Sequence, residues 1–180
     1  MTPVVTAVSL SPTHSFRKLP QDRITLLTGL GIEGDAHCGT TTQHRYLMKK
    51  DPTRPNLCQV HLIAAELHQQ LNAAGFHLAP GAMGENITTR GIDLLALPTD
   101  TLIYIGETTV LAVTGLRDPC AQLNRCAPGL MNAVLERHPD GSLIRKAGIM
   151  AVVRQGGIVR TGDALRIELP PPHYQPLQPV

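Results

Sequence analysis

Cys120 stands in Thr114-Gly115-Leu116-Arg117-Asp118-Pro119-Cys120, where a strongly apolar, β-branched run gives way to a loop. A cysteine behind a proline, close to an arginine and at the mouth of a strand, can be held near positive charge of the kind that favours a thiolate. A thiolate attacks carbon or binds a soft metal. The opposing reading is a buried, inert structural thiol, since free cysteine is among the most buried residue types. Arg117 offers a fork of donors to a phosphate or another anion, or else pairs with Asp118 or another carboxylate. From Pro119-Cys120 a helical turn would run through Ala121 to Cys126 with its free N–H groups outward. Cys126 reads as a packing residue near enough to act as a resolving thiol.

Two glycine-punctuated stretches add backbone donors. Gly29-Leu30-Gly31-Ile32-Glu33-Gly34-Asp35 and Pro80-Gly81-Ala82-Met83-Gly84-Glu85-Asn86 both read as tight loops whose amides can approach a ligand closely. Neither matches a Walker A loop or the dinucleotide fingerprint. Glu85-Asn86 supplies an acceptor and an amide suited to the edge of a pterin or purine, or to closing a turn. His37, beside Asp35 and Glu33, is of a side-chain type that could act as proton donor or acceptor. His37-Cys38 and Cys58-x-x-His61 are of zinc-ligand type, although no standard finger spacing is met. Arg45, Lys49, Lys50, Arg54, Arg145 and Lys146 read as solvated loop charges that would attract an anionic cofactor if they ring the Cys120 site.

The elements that must position these groups are short. Val4 to Leu10 reads as a strand, as do Ile24 to Leu27, Gln59 to Ile63 and Ile87 to Thr89. From 36 to 55 the chain is polar and reads as a long surface loop. Ile63, Leu67, Leu71 and Ala74 fall at helical spacing, with Gly75 at the C-terminal cap. Thr101 to Ile105 and Thr108 to Thr114 predict a hairpin about a two-residue Gly106-Glu107 turn. A helix is expected from Gly129 to Arg137, then a hairpin of Ile149 to Arg154 with Ile158 to Arg160, and a last strand over Ala164 to Leu169. Many short strands with few helices imply a mostly β (α+β) fold, a closed or partly open β-barrel with peripheral helices.

The chain has 180 residues, 42% of them hydrophobic, which suits a single domain over 1–169 followed by a proline-rich tail over 170–180. A formal charge of +2 and only five Phe or Tyr argue against a nucleic acid polymer as partner. No apolar run is long enough for a bilayer, and the start lacks the pattern of a secretory leader, so no membrane partner and a cytoplasmic location are expected. Four scattered cysteines, none in a C-x-x-C pair, make reduced thiols the expectation.

Four motifs in order carry a resemblance: Gly31-Ile32-Glu33-Gly34-Asp35-Ala36-His37, Gly84-Glu85-Asn86-Ile87-Thr88-Thr89-x-Gly91-Ile92-Asp93-Leu94, Val113-Thr114-Gly115-x-Arg117-x-Pro119-Cys120 and Gly157-x-Val159-x-x-Gly162-Asp163. Together the chain resembles the MOSC domain family, named for the C-terminal domain of molybdenum cofactor sulfurases. That resemblance implies a barrel related to the small β-domain of pyruvate kinase and a site for molybdenum cofactor. It implies Cys120 as catalytic residue and molybdenum ligand, with Arg117, Gly84, Glu85, Asn86, Gly34, Asp35 and His37 at the cofactor. It further implies reduction of a small N-hydroxylated base or related N-oxygenated compound, with electrons from a separate reductase and no pyridoxal phosphate in this chain. The alternatives are a non-catalytic carrier of sulfur or cofactor on the Cys120 thiol, a thiol- or zinc-dependent hydrolase, and an interaction domain.

Overall fold

Alternating burial marks the longer strands: in Ile149–Gln155 the residues Ile149, Ala151 and Val153 point inward while Met150 and Val152 are half-buried. In the computed structural model, which describes residues 2–180, the elements follow in chain order. They are β1 (Val4–Leu10), β2 (Leu19–Gln21), β3 (Arg23–Leu27), β4 (Gly31–Ile32), α1 (Arg45–Lys50), β5 (Val60–Ala64), α2 (Ala65–Ala73) and β6 (Ile87–Arg90). After a 3-10 turn at Leu94–Ala96 come β7 (Leu102–Ile105), β8 (Thr109–Leu116), α3 (Leu123–Cys126), α4 (Leu130–Ala133), β9 (Leu135–Arg137), β10 (Leu143–Arg145), β11 (Ile149–Gln155), β12 (Gly157–Arg160) and β13 (Leu165–Glu168).

The protein is mostly β with few helices, built on one large mixed sheet of eight strands in the order β13-β7-β8-β11-β5-β6-β1-β2. Neighbours are antiparallel except β5 and β6, which run parallel and are joined through α2 as a βαβ unit. A small sheet β12-β3-β4 and the hairpin β9-β10 complete it. The expectation of a closed barrel is corrected: β13 and β2 are edges. Among the described residues one isolated bridge, Val4–Ala164, links the start of β1 to the β13 end, with Leu165 N donating to Pro3 O, Val5 N to Asp163 O and Gly162 N to Val5 O. Closure needs a continuous ladder, and one bridge does not supply it. The pyruvate kinase comparison is therefore not confirmed.

Other expectations change for local reasons. Ile105 pairs with Thr109, so the hairpin loop has three residues, with Gly106 at φ 59°. Residues 60–64 belong to β5 because both β11 and β6 claim their backbone groups, which delays α2 to Ala65. The helix expected to reach Arg137 stops at Ala133, and Leu135–Arg137 pairs with β10 across the Pro139-Asp140-Gly141 turn. β12 does not fold back on β11; it crosses to pair with β3. The polar 36–55 stretch contains α1.

Two apolar cores flank the large sheet. One includes Val5, Val8, Ile24, Leu62, Ile103, Leu111 and Ile149. The other gathers Ile63, Leu71, Met83, Leu123, Leu130 and Val134 under the short helices. Leu123, fully buried, anchors α3 and with it the loop that carries Cys120. At the outgoing end of β8 the register with β11 skips Thr114, a bulge of the kind that turns a strand and re-aims its side chains.

The C-terminal tail is tied to that same end. Leu116 N donates to Gln178 O, Val180 N donates to Leu116 O, and Leu177 is buried. A Cβ on Gly115 would lie 2.3 Å from Gln178 O, so only glycine admits the tail there. Deleting residues 175–180 should therefore cost about 1–3 kcal/mol from the lost Leu177 burial and hydrogen bonds. Amide exchange at Leu116 should speed up by at least tenfold; unchanged protection would contradict the contact.

Candidate functional site

Four segments far apart in sequence meet beside the end of β8. The first is 11–18: Ala36 N donates to Ser11 O, and Lys18 N donates to Gly81 O, binding this segment to both glycine loops. The Gly81–Gly84 loop needs its glycines for that approach. A Cβ on Gly81 would stand 2.3 Å from Lys18 O and one on Gly84 would stand 2.9 Å from Phe16 O, both residues having positive φ. Gly34 also has positive φ but is exposed, with open space where a side chain would be.

Asp35 is the hub. Its side chain is 2% exposed, and Oδ2 accepts from Lys18 Nζ, Ser11 N (3.1 Å) and Asn86 Nδ2 (3.2 Å). Oδ1 accepts from His37 N (2.9 Å) and lies 3.2 Å from His37 Nδ1. Burial would raise the Asp35 carboxyl, but the hydrogen bonds from His37 and the charge of Lys18 hold it well below the carboxylate range. Burial lowers the Lys18 ammonium, with Asp35 opposing. Asn86 reaches the other way: its Oδ1 accepts from His61 N (3.1 Å), and its Nδ2 also donates to Ser9 O (3.2 Å). Asp35 and Asn86, separated by fifty residues of chain, are thus in direct contact.

Glu85 is fully buried and its acceptors are taken. Oε1 accepts from Gly81 N (2.6 Å) and stands 3.2 Å from His68 Nε2; Oε2 accepts from Met83 N (3.1 Å). Burial works to raise its pKa, yet the neighbouring His68 holds it below the usual value. Asp35, Glu85 and Asn86 are buried, while Gly84, His37, Arg117 and Cys120 are each partly exposed.

Arg117 is the decisive group. Asp118, its sequence neighbour, is engaged by Arg145, whose Nε lies 2.9 Å from Asp118 Oδ1. The Arg117 guanidinium lies over the Phe16 ring at 5.4 Å, and its Nη1 is buried with no hydrogen-bond partner. Burial disfavours its charge; Cys120 first, then Glu85 and Asp118, act in the opposite sense. A sealed guanidinium N–H without an acceptor carries an unmet demand for an anion. Cys120 is partly exposed and begins a turn in which Leu123 N donates to Cys120 O.

The other cysteines are placed differently. Burial pushes the Cys58 thiol up to about 11, against the pull of Arg54 and Arg117. Cys38 is raised by burial and by Asp35 and Glu33. Cys126 packs on the second core, its Sγ donating to Ala82 O (3.3 Å) and receiving Arg17 Nη2 at 3.7 Å. His37-Cys38 and Cys58-x-x-His61 do not assemble a zinc site: among the described residues no three His, Cys, Asp or Glu side chains converge for a metal ion. His61 is instead buried, with Nε2 2.8 Å from Ala147 O. Of the loop cations, Arg145 and Lys146 are paired, to Asp118 and Glu136. Arg45, Lys49 and Lys50 lie on α1.

Sequence reasoning missed Lys18, Phe16, His14 and His44. The His14 ring lies 5.4 Å from that of His37, and His14 Nε2 is 2.9 Å from Gln43 O. His44 is lowered by burial and then by the positive fields of His37, Arg117 and His14. No local pattern distinguishes these residues from surface ones. The fourth motif stays apart: Gly162 N donates to Val5 O and Asp163 Oδ2 accepts from Arg160 N. Two cavities of about 490 Å³ lie elsewhere, one between α2 and the Ile92–Leu95 segment, one among Gln21, Asp22, Arg23 and Arg160.

An open mixed sheet with few helices, carrying a part-exposed thiol close to a guanidinium whose Nη1 lacks a hydrogen-bond partner, defines a mostly β protein of the α+β class. The MOSC domain family matches residues 50–166, well over half of the sequence, and the chain belongs to that family. MOSC domains in general bind molybdenum cofactor. Among solved structures, the chain is similar to the YuaD protein from Bacillus subtilis (TM-score 0.72, 23% identity, 93% of this chain and 96% of that one). It is also similar to YiiM from Escherichia coli (0.64, 20%, 97% and 73%) and from Geobacillus stearothermophilus (0.65, 17%, 92% and 75%). No curated protein matches it. Among the described residues no helix is long and apolar enough to cross a membrane.

Proposed function

We propose that this protein binds molybdenum cofactor at the Cys120 face and reduces small N-hydroxylated bases or related N-oxygenated compounds. The observation that carries the reading is the Arg117 guanidinium, left without a carboxylate because Arg145 takes Asp118 and the Gly81 loop takes Glu85. The cofactor is an anionic pterin whose metal accepts soft sulfur ligands, and the residues present fit it. Cys120 would ligate the metal, and Arg117 would hold an anionic group. His37 would border the cofactor, while Gly34, Asp35, Gly84, Glu85 and Asn86 shape the wall behind it.

When bound, the cofactor supplies a two-electron redox centre for removing oxygen from nitrogen. The balanced reaction is R–NH–OH plus two electrons and two protons giving R–NH2 and water, with the N–O bond broken. The electrons come from a separate protein donor of the flavin or iron–sulfur class. Within this chain, Asp35 Oδ1 accepts the Nδ1 proton of His37 and so leaves Nε2 as the nitrogen that holds and releases a proton on the open face. Arg117 orients an anion, and Phe16 beneath it excludes water from one side of the guanidinium.

Protein made in a host that assembles the cofactor should contain molybdenum and pterin, and Cys120→Ser should lower its molybdenum at least tenfold, because a hydroxyl is a harder, far less acidic ligand. Equal molybdenum in both proteins would exclude ligation by that sulfur. Loaded wild type should reduce an N-hydroxylated amidine with a reduced viologen dye. Cofactor bound without such turnover would mark a carrier of sulfur or cofactor instead.

A further inference from the structure

The arm from 40 to 57 is held at its base and free at its tip. Thr41 bridges Pro55, Thr42 N donates to Arg54 O, and Asn56 Nδ2 donates to His37 O (2.9 Å) and Gly39 O (3.0 Å). Leu57 O accepts from Oγ1 of the bulged Thr114 (2.6 Å), and Gln43 O lies against His14. The base is thus bound to the residues on either side of the Cys120 face. At the tip, α1 buries none of its residues: Tyr46 is 58% and Met48 40% exposed, with Lys50 Nζ 4.6 Å over the Tyr46 ring. Arg45, Lys49, Lys50 and Arg54 face only Asp51 along the arm, while the whole chain is only +2, so the rest of the molecule is slightly acidic. The family match begins at residue 50, so most of α1 lies outside it.

A six-residue helix that fully buries none of its residues is not stable by propensity alone. Exposed aromatic and sulfur side chains ringed by like charges are the composition of a recognition surface. We infer that the α1 arm docks the acidic face of the protein electron donor, with Tyr46 and Met48 as the apolar centre and Arg45, Lys49, Lys50 and Arg54 as the steering rim. This rests on the reductase reading above. Charge complementarity selects the occupant: an acidic donor meets the basic arm, whose base is hydrogen-bonded to Thr114 on β8, the strand that leads towards Cys120. Such contacts are small, fast and salt-sensitive, as electron transfer between separate proteins requires.

The test uses cofactor-loaded protein and two acidic carriers as probes, a reduced flavodoxin and a reduced [2Fe–2S] ferredoxin. Lys49→Glu with Lys50→Glu should lower carrier-driven kcat/KM at least tenfold at low salt, flatten its salt dependence, and leave dye-driven turnover and molybdenum content unchanged. The same change of net charge at Arg23 and Arg160, beside the Val5 end of β1, should leave carrier-driven kcat/KM within twofold. Carrier-driven rates within twofold in the α1 variant would overturn the inference. So would an equal loss of dye-driven turnover or of molybdenum, which would make the arm part of the cofactor site, or binding to anionic phospholipid vesicles in place of either carrier. If loaded wild type fails with the dye, the reductase reading falls by itself, and calorimetric titration with the carriers decides the docking: salt-sensitive binding abolished by the α1 variant supports it, and no binding overturns it.

Discussion

Replacing Lys18 by Met should lower the unfolding free energy by about 3–5 kcal/mol, the usual cost of leaving one partner of a buried ion pair uncompensated. The Asp35 side chain is 2% exposed and, apart from Lys18 and the His37 ring, lies among uncharged donors: the backbone N–H groups of Ser11 and His37 and the amide of Asn86. Without the ammonium, Asp35 must either remain charged in a poorly solvated site or take up a proton, and in the second case it loses its grip on these donors. The damage then spreads to the site, because the same carboxylate fixes His37. Denaturant melts of wild type, Lys18→Met, Asp35→Asn and the double variant at pH 7 should give a coupling energy of roughly 1–3 kcal/mol. A loss below about 1 kcal/mol for Lys18→Met would show that water reaches the carboxylate and that the hub is not sealed.

Stability should also fall steeply in mild acid because of His61. Burial, reinforced by the charge of Arg117, lowers its pKa to about 4. An unfolded histidine titrates near 6.5, so between these values the unfolded chain binds more protons than the native one. Where that holds, stability rises with pH. The neutral imidazole therefore contributes fully above about 6.5, and its contribution is lost as the pH falls towards about 4. The total is roughly 3 kcal/mol. His61→Gln keeps a donor for Ala147 O without a group that titrates there, so the difference in stability between wild type and variant should change by that amount across this window. A constant difference from pH 7 to pH 4 would mean that the ring is protonated in the native state.

Much of the local framework was legible because it rests on nearest-neighbour physics. β1 spans the expected residues, β5, β6, β8 and β13 fall close to theirs, and α2 ends at Ala73, just before Gly75, whose φ of 96° suits a glycine after a helix. The rearranged elements are those whose partners lie far away. β12 is a good strand by composition, yet whether it folds back on β11 or crosses to β3 depends on which edge is open. Barrel closure was undecided by the sequence for the same reason: strand count and turn chemistry do not say whether the first and last strands meet along more than one bridge.

The site divides in the same way. The order of the four motifs was enough to point to the family, and the types of Cys120, Arg117, His37, Asp35, Glu85 and Asn86 named the chemistry, since residue type and order are properties of the chain itself. Which of them face a ligand was not in the chain. Glu85 has the character of a cofactor contact in sequence and is a fully buried loop anchor in space, while Lys18, in a polar stretch, is the buried counter-ion of Asp35. Of the two local readings of Arg117, the surface pair with Asp118 was undone by Arg145 arriving from β10. Charge pairing and burial are set by groups that long-range strand pairing brings together, so only the tertiary structure could leave one guanidinium without a partner beside one thiol.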